Sequence, residues 1–389
     1  MKQFLIIIII ASIFAGIIIT AGNLSGPVDD QEERITDISS LSWDEIKTAA
    51  VSEGKVIITT WWAEAYFNQI ARLFEDKYGI HAEVVVQQNA TTLQKIILEK
   101  KLKTGTIDIF IAGFAGHLQK ALDENIFLPG LKKIPDWDKL LYPDRSYQKN
   151  LYIEDLMVPI YRNQVGFLYN PEYVPVPPRS WEDFNSWIKE NPKKFVFSAK
   201  DDGSGEAFKH SVVYKFAGGA ARFRTGSRYL DAEKVKEWQL AWEWFNNNRV
   251  FLGFSSSNHD SLKRIDSKDA WITPAFVDDT TIAMKSGLLD NTLKMYVPDF
   301  GLFKGGDGAG IVVNAPHKAA AILFLSFLID RDIQQMMKDL IGSDCIRNDI
   351  EIPDSDFLSK AERAHAIEHT DPVYYIYLDS EFKKHVLNE

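Results

Sequence analysis

The chain has 389 residues, 46% hydrophobic, 25% charged and 12% aromatic, with 44 Lys and Arg against 54 Asp and Glu, for a formal net charge of −10. This is the composition of a folded protein of two to three domains, and its acidic balance argues against a nucleic-acid partner, which would want a basic face. Cys345 is the single cysteine, which excludes an intramolecular disulfide, a zinc ribbon and a C-x-x-C redox pair.

Residues 1–3 supply a short positive end, and 4–19 (FLIIIIIASIFAGIII) carry no charge. This is the layout of a secretory signal, with the small residues Thr20, Ala21 and Gly22 where a peptidase could cut. Residues 1–22 are therefore expected to be a signal peptide or an uncleaved anchor. The apolar run falls just short of the ~20 residues that span a bilayer comfortably. No cysteine lies near it, so a lipid-modified N-terminal cysteine is excluded. The expected address is periplasmic or otherwise extracytoplasmic. Residues 23–45 are polar and acidic and read as a flexible spacer.

From residue 55, short β-rich runs alternate with helical periods. The spacing predicts a buried strand over 56–61 (VIITTW) and a helix over 64–78 with Phe67, Ile70, Ala71 and Phe74 on one stripe, closed by Gly79. Strand 81–86, helix 91–103, strand 106–112 and helix 115–124 follow. Strands alternating with helices of this length imply an α/β protein with a parallel sheet covered on both faces. A second unit begins near residue 165. It holds a strand over 164–169, a proline-rich connector over 171–178, a helix over 181–190 capped by Ser180, a strand over 195–198, and helices over 204–217 and 231–246. The aromatic stripe of the last helix, with Trp238, Trp242 and Phe245, reads as core. Further on come a strand over 270–274, a helix over 276–286, a strand over 294–297, the glycine cluster 305–308 as a connector, a strand over 309–314, and helices over 319–329, 332–341, 357–367 and 375–387.

Enzyme motifs are weak. The glycine clusters lack the Lys-Ser/Thr pair of a phosphate-cradling loop, and Ser204 lacks the glycine two places before it that a nucleophile elbow requires. His365, Glu368 and His369 form an H-x-x-E-H, the spacing that brings two imidazoles to one helical face for zinc. A secreted zinc hydrolase is thus the enzyme alternative, opposed by the small number of residues left to supply a third ligand. No catalytic residue, resident metal or cofactor is expected.

Four segments, in this order, resemble the extracellular solute-binding proteins of bacterial ABC importers, the type that includes polyamine, ferric-iron, thiamine and some sugar binders. They are VIITTWWAEAYFNQIARLFEDKYGIHAEVVV, GTIDIFIAG with the helix ending LDENIFLPG, VGFLYNPEYVPVPPRSWEDF, and GAGIVVNAPHKAAAILFLSFLIDRDIQQMM. The resemblance covers about residues 55–345. It implies two α/β lobes joined by crossing strands, a ligand in the cleft between them, and closure by hinge motion. Lobe one would comprise 46–164 and 308–389 with the C-terminal helices, and lobe two 165–307. The implied partners are a small solute and an ABC permease. The protein is expected to act as a monomer and a non-enzyme, and a sensor that presents the loaded fold to a membrane receptor is a further reading.

In such folds the loops at the carboxyl ends of the strands line the cleft. Those ends carry Trp61, Trp62, Glu64 and Tyr66 after the first strand and Phe114 after the third. In the second unit they carry Asp202, Ser204 and Glu206, then Thr273, Phe276 and Asp278. Aromatic faces and carboxylates without an arginine suit an organic cation such as a polyamine or a thiamine-like compound. The polyamine binders place an aromatic-x-Glu element after the first strand, and Trp62-Ala63-Glu64 resembles it. A sugar or oligosaccharide is the alternative, with an anion held at the helix start near Ser204 ranked third. Each acidic residue also has a plainer reading, as a solvated group at the start of its own helix.

Overall fold

The computed structural model describes residues 40–200, 203–351 and 357–387. The expected signal or anchor and most of the spacer lie outside the described residues, as does Asp202.

The chain opens with α1 (Trp43–Glu53), β1 (Lys55–Thr60), α2 (Glu64–Tyr78), β2 (His81–Val86), α3 (Asn89–Glu99), β3 (Ile109–Ala112) and α4 (Ala115–Asp123). A small hairpin, β4 (Tyr147–Gln148) and β5 (Leu151–Tyr152), precedes the long strand β6 (Val158–Tyr169). Next come α5 (Trp181–Glu190), β7 (Val196–Ser198), α6 (Gly203–Phe216), α7 (Ala232–Lys236), α8 (Gln239–Asn248), β8 (Gly253–Ser255) and α9 (Asn258–Asp266). The last third holds β9 (Ile272–Phe276), α10 (Val277–Lys285), β10 (Lys294–Tyr296), β11 (Leu302–Ile311), α11 (Lys318–Leu328), α12 (Arg331–Ile341), α13 (Lys360–Arg363), β12 (Ala366–Ile367) and α14 (Pro372–Phe382). Most elements sit within a few residues of where periodicity and caps put them. Ser180 Oγ accepts from Asp183 N at 3.0 Å at the start of α5, and Gly79 ends α2 at φ 69°, a conformation that favours glycine.

The main sheet runs β10-β6-β11-β3-β1-β2, with β9 also on β6 and β12 on β11. β1 pairs in parallel with β2 and β3, as the βαβ reading requires. β6 and β11 are antiparallel neighbours. The first part of β6 lies beside β11, and its second part lies beside β9 and β10. β11 likewise pairs with β12 at its start and with β3 at its end. These two strands carry the sheet from one half of the molecule to the other.

Three expectations need correcting. The glycine cluster 305–308 is not a connector but the middle of β11. Gly306 has φ 129°, and a Cβ there would stand 2.5 Å from the Tyr161 carbonyl oxygen; glycine is what lets the two long strands approach at the irregularity beside Asp307. Residues 231–246 form two helices, not one. The chain turns at Trp238, which is 1% exposed and packs against Tyr214 and Phe223; burying that indole outweighs continuing the helix. Residues 357–367 are not a helix but α13 followed by β12, which pairs with Leu302 and Phe303. His365 and His369 therefore flank a strand instead of sharing a helical face, and among the described residues no group of three His, Cys, Asp or Glu is placed to hold a metal. Tyr374, Leu378 and Phe382 of α14 share a buried cluster with Phe167, Phe184, Phe195 and Phe208. No helix among the described residues is long and apolar enough to cross a membrane.

Candidate functional site

A cavity of about 280 Å³ lies against β6 and β11, between the ends of β1 and β3 on one side and the starts of α6 and α10 on the other. Its first wall is aromatic. β1 ends in Thr60, whose Oγ1 donates to the Trp62 carbonyl at 2.9 Å, and Ala63 takes φ 49° to start α2. This turn throws both tryptophans into the cavity. Trp61 lies over Gly113, where any Cβ would collide with the indole, and its ring centroid is 6.0 Å from that of Phe114. Trp62 packs 4.8 Å from Tyr161. The Trp62 indole nitrogen is buried and has no hydrogen-bond partner among the described residues.

The facing wall is acidic. Glu206 stands in the first turn of α6 and accepts a hydrogen bond from the Tyr375 hydroxyl. Asp278 and Asp279 stand in the first turn of α10, where carboxylates suit the positive helix end. Asp278 is 4% exposed, and its Oδ1 accepts from Asp279 N at 2.7 Å. No basic side chain among the described residues pairs with it. Burial first, and then the neighbouring Asp279 charge, hold the Asp278 carboxyl well above the usual carboxylate range, against a hydrogen bond from Asn163. A positive ligand would reverse that shift. Phe276 completes this wall between Gly203 and Gly305.

The base is made by β11 and its neighbours. Asp307 receives Lys149 Nζ at 2.8 Å and the Tyr161 hydroxyl. Burial pushes the Asp307 carboxyl up, and these two donors oppose the shift. Lys304 pairs with Glu368 at 2.6 Å. Burial, aided by the Lys149 and Lys304 charges, brings His369 down to about 3, so its imidazole is neutral at physiological pH. Its Nδ1 is buried without a hydrogen-bond partner among the described residues.

Of the residues expected at the site, Trp61, Trp62, Phe114, Glu206, Phe276 and Asp278 line the cavity. Glu64 does not: it is exposed at the start of α2. Tyr66 is 4% exposed and packs on Phe67. Ser204 is bonded through Oγ to Asn258, and Thr273 is wholly buried in β9. Sequence reasoning missed Lys149, Tyr161, Asp307, His369 and Tyr375. No arginine lines the cavity among the described residues.

An antiparallel strand pair crossing between two α/β halves, with a cavity lying on it, is the geometry of a protein that closes around a small solute. The chain belongs to the bacterial extracellular solute-binding protein family, whose model matches residues 69–346. Membership makes it a non-enzymatic solute-binding component of an ABC importer, acting outside the cytoplasm and delivering a small solute to the permease. Its structure is similar to iron-bound HitA from Pseudomonas aeruginosa (15% identity, TM-score 0.61, covering 84% of this chain and 99% of that one). It is also similar to AfuA from Actinobacillus pleuropneumoniae with fructose-6-phosphate bound (15%, 0.62, 86% and 99%). A protein from Listeria monocytogenes described as a spermidine/putrescine ABC transporter is similar to the same degree (16%, 0.60, 85% and 99%). At these identities the likeness establishes the two-lobed periplasmic-binding-protein fold and leaves the solute open. No curated protein sequence matches the chain.

Proposed function

We propose that this protein captures a small organic cation, with one or more amine or ammonium groups, in the cleft between its lobes. The observation that carries the reading is Asp278: a buried carboxylate without a basic partner among the described residues, beside Asp279 and facing Trp61, Trp62 and Phe114. A buried carboxylate is costly unless something positive meets it, and aromatic faces attract desolvated cations by ~0.5–2 kcal/mol each. The same carboxylates oppose an anion at the starts of α6 and α10. A ferric ion fits poorly, because Tyr375 is committed to Glu206 and Tyr161 to Asp307. The similarity to a spermidine/putrescine transporter protein agrees with the cationic reading.

Lobe one is then residues 46–164 with the return strand after 308, and lobe two residues 165–307 together with α14. β6 and β11 form the hinge, and the protein works as a monomer.

One observation favours a second reading. The Trp62 indole N–H wants an acceptor, which a hydroxyl-rich solute such as a sugar would supply. Mass spectrometry of what folded protein releases on denaturation separates the two. A stoichiometric amine or quaternary ammonium compound is expected; a neutral sugar or a phosphorylated compound would refute the cationic reading.

A further inference from the structure

Among the described residues, Lys149 is the only basic residue beside the cavity whose charge is spent on a carboxylate that also lines it. Its side chain is 7% exposed and that of Asp307 is 5% exposed, so the pair is withdrawn from water where its two charges interact strongly. Nζ donates at 2.8 Å to Asp307 Oδ1 and at 2.6 Å to the Gly306 carbonyl, and Tyr161 donates to Asp307 Oδ2. Both oxygens of Asp307 are thus engaged from within the protein.

The lysine is held there by backbone geometry. Lys149 and Asn150 have φ of 51° and 60°, the two left-handed residues of a two-residue hairpin turn, here joining β4 to β5. Asn150 Nδ2 donates at 2.5 Å to Asp371 Oδ1. Asp371 in turn accepts from the backbone N–H groups of Thr225 at 2.9 Å and Gly226 at 3.0 Å. On the other side of the lysine, Gln148 Nε2 donates at 3.2 Å to the Asp144 carbonyl, so the hairpin tip is tied down on both sides and the ammonium reaches Asp307 from a fixed base.

We propose that Lys149 is an internal counter-ion that determines the charge of the solute: by neutralising Asp307 it withholds one carboxylate from the ligand and leaves recognition to Glu206, Asp278 and Asp279. The proposal rests on the cationic reading above. Without the lysine the cleft would be one unit more negative, and a solute carrying one more positive charge would gain.

The test compares butylamine with putrescine, which share a carbon chain and differ by one ammonium, by calorimetry on the full protein. In Lys149→Gln the affinity ratio should move toward putrescine by roughly tenfold. In Lys149→Gln with Asp307→Asn, where the charge balance is restored, it should return to the wild-type ratio. Asp307→Asn alone, which leaves the ammonium unopposed, should move the ratio toward butylamine, and this arm decides the matter if Lys149→Gln does not fold. Unchanged ratios in the single variants, or a double variant that stays shifted, would overturn the counter-ion role while the cationic reading stands. Wild-type protein that binds neither amine would overturn the counter-ion role as stated for this amine series, while the cationic reading is decided by the wider set of cations.

Discussion

The two walls of the cavity are built from different materials. The wall at the ends of β1 and β3 is aromatic and carries no charge: Trp61, Trp62 and Phe114 come from turns a few residues long, locked by Thr60 and by the room that Gly113 leaves. The wall at the starts of α6 and α10 is acidic, and there Asp278 is held above its usual range by burial and by Asp279. On the cationic reading proposed above, the two walls would have separate tasks: the first fits the shape and polarisability of a cation, and the second supplies the charge that selects it. A hydrophobic platform alone discriminates poorly, whereas a site whose buried charge needs a partner rejects solutes that lack one.

The comparison breaks first at Asp278. Asp278→Asn should weaken binding of an amine ligand by about 10- to 100-fold, the worth of a buried charge-assisted hydrogen bond, as titration calorimetry would read. Loss of less than about threefold would move the charge recognition elsewhere.

Next comes pH. The folded-state pKa of Asp278 lies above its ordinary value of 3.8, so the folded protein holds a proton that the unfolded chain gives up near that value. Stability from this group is complete below pH 3.8 and is lost as pH rises through the folded pKa. A cation displaces the same proton, so its affinity should rise with pH in that window, by up to about tenfold per unit. Asp278→Asn should flatten the profile and, without ligand at neutral pH, raise Tm. Affinity that falls with rising pH would contradict the assignment.

On the aromatic wall, Trp62→Ala should cost about tenfold in affinity and Trp62→Phe less; the same affinity for both variants and wild type would reduce Trp62 to packing on Tyr161. The smallest effect is expected at Glu64. It is exposed outside the cavity, so Glu64→Gln should change affinity by less than about twofold, although the aromatic-x-Glu pattern had pointed to it.

Why Glu64 lies outside the cavity while Asp278 lines it is a matter of local geometry. Both follow a strand, but Ala63 in its left-handed conformation turns α2 so that Glu64 points to solvent, while Phe276 is extended and leads Asp278 straight into the cleft. The alternation of strands and helices, the Ser180 cap and the aromatic wall were legible because each depends on neighbours along the chain. The base was not. Lys149 meets Asp307 across 158 positions, and its only sequence signal is a Lys-Asn pair between Gln148 and Leu151, far weaker than Asn-Gly as a hairpin mark. His369 and Tyr375 sit in a tail that reads as an exposed helix until β12 pairs with Leu302 and Phe303 and draws both into the cavity. The glycines of β11 read as a loop because their reason, the close approach of Tyr161 at Gly306, belongs to a strand far away in sequence.

The cationic reading is tested most directly by titrating the purified protein, at constant pH and ionic strength, with putrescine, spermidine, choline and thiamine beside glucose and fructose-6-phosphate, and repeating the tightest binder on Asp278→Asn. The account predicts that at least one cation binds, that it binds more tightly than the neutral sugar or the phosphate ester, and that the variant loses most of that affinity. Binding of the sugar phosphate in preference to every cation, or a cation whose affinity is indifferent to Asp278, would contradict it.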